Sequence, residues 1–233
     1  MKKSLLIAAI FLFLLPASLA SAHDPIILTS DQRTPTSGPL LVDGTISFAI
    51  YGSLDTEGDT RGFRVKFREG DPLYISILIP DLSPENMLNE DLLPVLNVES
   101  PDGVTVKLAV TEKVSFPEPF TGTNYVRLTE LRGVAVSGIY SITVTGDSSA
   151  RFTVSVGEKE MFGSTVENIP NRNLGIAGVM TWYAGEPNTA TLSNKTTFNN
   201  QIILVTGTVV VAAVVLGFAR VRTTRRRKNK SFD

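Results

Sequence analysis

The sequence predicts an all-β ectodomain built as an antiparallel β-sandwich, joined to one C-terminal transmembrane α-helix. Three observations carry this prediction. Apolar and polar residues alternate in short runs between residues 45 and 157. Turn-forming residues separate those runs. A charge-free apolar stretch near the C-terminus is followed directly by a cluster of basic residues.

The alternating runs come first. Ile46, Phe48 and Ile50 alternate with Ser47, Ala49 and Tyr51, and Phe63, Val65 and Phe67 alternate with Arg64, Lys66 and Arg68. Leu73, Ile75, Ile77 and Ile79 form a third series, and Val104, Val106, Leu108 and Val110 a fourth. Residues 139–144 and 152–156 complete the set. Side chains on a strand point alternately to opposite faces, so one apolar row means a sheet with one side in a core. Glu57-Gly58-Asp59, Glu69-Gly70-Asp71, Pro101-Asp102-Gly103, Ser137-Gly138 and Thr145-Gly146-Asp147 supply turns between the runs. Many short strands at this spacing indicate a sandwich.

The chain ends are equally legible. Lys2 and Lys3, an apolar run over 5–15, Pro16 and then Ala20-Ser21-Ala22 have the order of a secretory signal peptide over residues 1–22, with His23 as the first mature residue. An uncleaved anchor helix is the alternative, but the apolar run is short for a span. Residues 202–219 carry no charge and are rich in Val, Ile, Leu and Ala. As a helix they reach roughly 27 Å at ~1.5 Å per residue, near the lower limit for a bilayer core. The span is therefore predicted over 201–219, and a buried core helix is the competing reading. Arg220, Arg222, Arg225, Arg226, Arg227, Lys228 and Lys230 follow, which predicts a cytoplasmic tail over 220–233.

Charge divides along the same boundary. Residues 23–200 hold 13 Lys and Arg against 22 Asp and Glu, a net of −9. An acidic exterior argues against nucleic acid as a partner. The chain has no cysteine, which excludes a thiol nucleophile and any thiolate metal site and favours a microbial envelope setting.

Between these landmarks lie an N-terminal extension, 23–44, and an apolar, irregular segment, 158–185. That segment contains the one tryptophan, Trp182, and either packs on the sandwich or rests on a membrane. Residues 186–200 are polar and rich in Thr and Asn, as suits a stalk. Helical signals are few; Ser83 to Leu88 is a candidate single turn, with Ser83 as N-cap and Pro84 at the first helical position.

The ordered motifs from Tyr51 to Val156 resemble the bacterial pre-peptidase C-terminal domain. They are Gly52-Ser53-Leu54, Gly58-Asp59, Phe63-Arg64-Val65, Gly70-Asp71-Pro72-Leu73, Ser100-Pro101-Asp102-Gly103, Gly138-Ile139-Tyr140-Ser141-Ile142 and the run from Phe152 to Val156. Order and spacing carry the likeness. Leu93-Pro94-Val95-Leu96-Asn97-Val98 stands where the family has acidic and aromatic residues, after an insertion over 81–91. The resemblance implies a jelly-roll-like accessory sandwich that binds, docks or solubilises and does not catalyse.

Candidate sites are few. His23 and Asp24 are candidate copper ligands, because an N-terminal histidine offers both an amine and an imidazole; the plain alternative is a histidine that merely follows the cleavage site. Asp55, Glu57, Asp59 and Asp71 lie in predicted turns and are candidate calcium ligands, against the reading that they are solvated turn residues. His23 is the one histidine, so no serine–histidine pair is available within the sandwich, and no phosphate-binding loop is present. The resulting expectation is a non-catalytic binding or docking module, single-pass in the cell membrane. Its sandwich is extracytoplasmic and its partner is another envelope protein or a surface polysaccharide. Copper handling through His23 is the alternative.

Overall fold

The computed structural model describes residues 23–187 apart from 119–120, 162 and 170–171. The predicted signal peptide, most of the stalk, the predicted span and the basic tail lie outside the described residues. Among the described residues no helix is long and apolar enough to cross a membrane. By internal contacts the chain divides into Met1–Leu192 and Ser193–Asp233, and every described residue belongs to the first unit.

Among the described residues twelve strands form two six-stranded sheets. Sheet one has the order β1-β3-β11-β5-β9-β8, with β1 Asp24–Ile27, β3 Phe48–Leu54, β5 Pro72–Pro80, β8 Val114–Glu118, β9 Thr123–Val134 and β11 Ala150–Val156. Sheet two has the order β12-β2-β4-β10-β6-β7, with β2 Leu40–Leu41, β4 Asp59–Phe67, β6 Val95–Glu99, β7 Thr105–Leu108, β10 Gly138–Gly146 and β12 Val166–Glu167. The chain changes sheet at every step from one strand to the next except β6 to β7 and β8 to β9. The two sheets are therefore interleaved along the sequence.

The alternation seen in sequence decides which rows face inward. Phe63, Val65, Ile75, Ile77, Ile142, Val144, Phe152 and Val154 are buried between the sheets, and Leu73 packs partly buried against them. Phe48, Ile50 and Leu54 add the β3 row. Each such side chain contributes roughly 1.5–3 kcal/mol by leaving water, which makes this layer the main stabilising feature of the fold.

Two departures from the expected arrangement have physical causes. β1 and β2 come from the 23–44 extension, and both pair in parallel, β1 with β3 and β2 with β4, in sheets that are otherwise antiparallel. Glycine makes part of this possible. A Cβ on Gly62 would lie 2.4 Å from the backbone at Thr34 and Pro35, so residues 34–38 can cross β4 only there. Gly62 N–H then donates to Gln32 O and Arg64 N–H to Pro39 O. The second departure is a helix, α1, over Gly175–Ala184, preceded by a short 3-10 turn at Arg172–Leu174.

Helix α1 covers the outer face of sheet one. Trp182 is 1 % exposed and packs with Val179 on Ile27, Ala49, Tyr51, Leu78 and Tyr125. Its ring meets Tyr51 edge-on at 4.9 Å, and its Nε1–H donates to Gly52 O at 3.2 Å. Gly178 lets the helix approach β1, since a Cβ there would lie 3.0 Å from Ile27 Cδ1. Tyr183 fixes the far end: its hydroxyl donates to Asn124 O at 2.8 Å and accepts from Asn124 N–H at 3.1 Å. Residues 173–183 thus lie on the sandwich, with the indole turned inward.

Candidate functional site

The acidic turn after β3 is closed by arginine. Asp59 and Arg61 stand two residues apart on β4 and so share a face. That face is the core row, which Phe63 and Val65 continue. Arg61 is only 2 % exposed and must be neutralised there. Its Nη1 bonds Asp59 Oδ2 and its Nη2 bonds Asp55 Oδ2, both at 2.8 Å. Arg33 reaches Asp59 Oδ1 at 2.8 Å. The N–H groups of Asp55 and Thr60 also donate to the Asp59 carboxylate, at 3.0 and 2.9 Å. Burial works to raise the Asp59 pKa, but these two N–H donors and Arg61 outweigh it and hold the carboxyl below its usual value.

The proposed calcium set does not assemble. Asp55 and Asp59 are turned to guanidinium groups, and Glu57 is exposed at the tip of the turn. Asp71 lies beyond the other end of β4, about 27 Å of strand away at ~3.3 Å per residue. Its carboxylate accepts Arg68 N–H at 2.7 Å. Turns that follow one another along a chain sit at opposite ends of the strand between them, which is why acidic residues in successive turns do not converge.

The copper pair also separates. His23 and Asp24 are sequence neighbours at the start of β1, and their side chains go different ways. Asp24 is buried, forms an ion pair with Arg172 and accepts Ser164 N–H at 3.2 Å. His23 Nδ1 is hydrogen-bonded to Ser47 Oγ. The imidazole lines a cavity of ≈ 10 Å³ with Pro25, Tyr51, Glu118, Thr121, Ile176 and Val179. That is space for about one water molecule. Burial lowers the His23 pKa, and the charges of Glu160 and Glu118 partly oppose it. Burial also pushes the Tyr51 hydroxyl well above its ordinary value and that of Tyr125 up to about 12, so both phenols stay protonated at neutral pH. Among the described residues no three His, Cys, Asp or Glu side chains are grouped to hold a metal.

Sequence reasoning missed a heavily bonded buried polar pair. Arg151 of β11 and Glu85 of the 81–91 insertion are 2 % and 0 % exposed. Glu85 accepts Arg151 N–H and Nε–H through Oε1, both at 2.8 Å, and Nη2–H through Oε2 at 2.7 Å. The rest of the guanidinium donates to Ser83 O, Tyr183 O and Gly185 O. The last two belong to the C-terminal end of α1, whose carbonyls have no partner within the helix and favour a cation. One side chain thus joins the insertion, the central strand of sheet one and the end of α1. The signal lay in the sequence: Arg151 is the one charged residue of a strand whose other members are Ala, Phe, Thr, Val and Ser.

Several exposed apolar side chains lie at the two ends of the sandwich, and others, such as Val106, Val114 and Met161, lie apart from them. At one end the 133–138 turn projects Val134, 74 % exposed, and Val136, while Ala135 between them is buried. The 100–104 turn adjoins it through Pro101, whose ring faces Gly138, and adds exposed Val104; Ile139 lies beside them on β10. The other end carries the 81–91 insertion with Leu82 and Met87, the latter 78 % exposed. No model of a known protein family matches the chain, and no curated protein matches it.

Proposed function

We propose that this chain is a membrane-anchored, extracytoplasmic β-sandwich that docks a partner of the cell envelope and does not catalyse a reaction. The observation that carries the reading is the valine-rich tip. Val104, Val134, Val136 and Ile139 stand exposed on two adjoining turns. Apolar groups concentrated on projecting turns favour association with another surface. The cavity beside His23 has space for about one water, too little for an organic substrate.

The anchored part of the proposal rests on sequence: the signal-peptide pattern over 1–22, the apolar run over 202–219 and the seven basic residues after it. The strand order supports a jelly-roll form, since β3-β11-β5-β9 faces β4-β10-β6-β7 and the last long strand of each sheet lies beside its first. The likeness to pre-peptidase C-terminal domains rests on the ordered sequence motifs between Tyr51 and Val156. The partner is a protein or polysaccharide of the envelope, and the net charge of −9 over 23–200 disfavours nucleic acid.

The absence of cysteine makes the test direct. Val134→Cys in the full chain, carrying a thiol-linked photo-crosslinker, is expected to give a discrete adduct in intact envelopes. Val136→Asp in the same chain should abolish it. Adducts no different from those of a label at exposed Glu167, on the body of the sandwich, would sink the docking reading.

A further inference from the structure

Among the described residues the two sheets end on four edge strands, β1 and β8 in sheet one, β12 and β7 in sheet two. An edge strand presents backbone groups that a further strand can take up. Three of the four are poor templates. β1 carries Pro25 and β8 carries Pro117, each without an N–H to give, and β12 is two residues long. β7 has no proline, and Thr105, Val106 and Lys107 on it are exposed.

The register of β7 decides which of its backbone groups are free. It pairs with β6 so that Val98 faces Val106 and Glu99 faces Thr105. One step further, Ser100 N–H donates to Val104 O at 2.9 Å, so Ser100 and Val104 are a hydrogen-bonded pair. Such pairs alternate along an antiparallel ladder. Val106 and Leu108 therefore bond β6, and the N–H and C=O groups of Thr105 and Lys107 point away from it. The side chains divide in the same way. Val106 and Leu108 stand opposite the core residues Val98 and Leu96, whereas Thr105 and Lys107 share the outer face with Glu99 and Asn97. Val106 is thus at the rim of the core and is 38 % exposed.

We infer that β7 pairs with β7 of a second copy of this chain, antiparallel and centred on Val106. The strand is self-complementary in that register. Thr105 of each copy faces Lys107 of the other, and these two pairs take up the outward N–H and C=O groups of both strands. Val106 meets its own counterpart in the closer, non-hydrogen-bonded kind of pair, and Val104 meets Leu108. Apolar side chains therefore continue the rim of the core across the join. A lysine on an edge ordinarily guards it. Here Lys107 falls opposite Thr105 of the other copy, whose neighbour on β6 is the exposed Glu99, so the ammonium group approaches a carboxylate. A register centred on Lys107 sets two ammonium groups against each other instead. The pairing stands independently of what the valine tip binds.

The test uses the full chain in detergent. Val106→Cys supplies the one thiol in its protein and is expected to oxidise to a disulfide-linked dimer several-fold faster than Val114→Cys. Val114 is the matched control, 40 % exposed on the edge strand β8. Lys107→Pro removes one outward N–H and leaves the bonds to β6 in place. Lys107→Glu keeps the backbone and sets a carboxylate towards Glu99 of the other copy. Each is expected to convert the dimer seen by sedimentation to monomer and to slow the Val106→Cys reaction to the Val114→Cys rate, with the strand content by circular dichroism of Lys107→Glu unchanged. A full chain that is monomeric at micromolar concentration, with Val106→Cys no faster than Val114→Cys, would overturn the pairing and leave Lys107 as the guard of a free edge. A dimer that survives both substitutions at Lys107 would overturn it too, by placing the contact elsewhere.

Discussion

Arg151 and Glu85 are 66 residues apart in sequence and meet in a fork, with Nε–H donating to Oε1 at 2.8 Å and Nη2–H to Oε2 at 2.7 Å. Neither is open to solvent, so neither tolerates loss of the other. Glu85→Gln and Arg151→Met are each expected to lower stability by about 3–5 kcal/mol, the usual cost of leaving one buried charge unpaired. The double variant Glu85→Leu with Arg151→Met should recover part of that loss. Chemical denaturation of the three variants checks this, and a double variant no better than the worse single one would show that the carbonyl contacts of Arg151 matter more than its carboxylate.

Removing divalent cations should leave the melting temperature unchanged, because guanidinium groups occupy the Asp55 and Asp59 carboxylates. Asp59→Asn is expected to cost about 3 kcal/mol by leaving Arg61 short of a buried counter-charge. The depressed Asp59 pKa sets the direction with pH. Its contribution is fully present above the ordinary carboxylate value and is lost as pH falls through the lowered one. A melting temperature that drops in chelator would contradict the pairing described here.

His23 titrates in the opposite sense to a histidine in an ion pair. Burial lowers its folded pKa, so the unfolded chain binds the proton more readily. Stability is therefore full above the ordinary histidine value, about 6.5, and declines as pH falls below it. Melting curves between pH 7.5 and 5 should show this decline, and His23→Asn should remove that part of it. Identical profiles for the two proteins would place the imidazole in water.

Trp182→Ala should destabilise by about 3–5 kcal/mol, as for other large buried side chains. Trp182 is the one indole, so fluorescence reads it without ambiguity. Emission should be blue-shifted and weakly quenched by acrylamide in the folded chain. Strong quenching would mean that α1 does not cover sheet one.

In β4, β5, β10 and β11 the alternating apolar rows face inward as the sequence predicts, whereas in the Val104–Val110 row Val104 and Val106 are exposed, because β7 is an edge strand. β9 breaks the rule and was not legible. Val126, Leu128 and Leu131 all pack on the core, and the step from two residues to three falls at a register shift opposite Ile77 and Leu78. A bulge inserts one residue and reverses the phase of everything beyond it. The partners of the acidic turn residues were hidden for a different reason. Carboxylates are visible in sequence one at a time, whereas the arginines that claim them arrive from a core row, as Arg61 does, or from the N-terminal segment, as Arg33 does. The Glu85–Arg151 pair spans the insertion and the last long strand, and no local pattern links the two.

Tension on the chain beyond Pro187 has a defined load path through the Arg151 side chain. The last carbonyls of α1, on Tyr183 and Gly185, are bonded to Arg151 Nη1, and Arg151 belongs to β11, which is paired on both sides within sheet one. A pull on the C-terminal side is thus passed into the middle of the sheet before it reaches the apolar contacts of the helix. Arg151 acts as a strain relief, and Trp182 stays seated on Ala49 and Tyr51 until that grip slips.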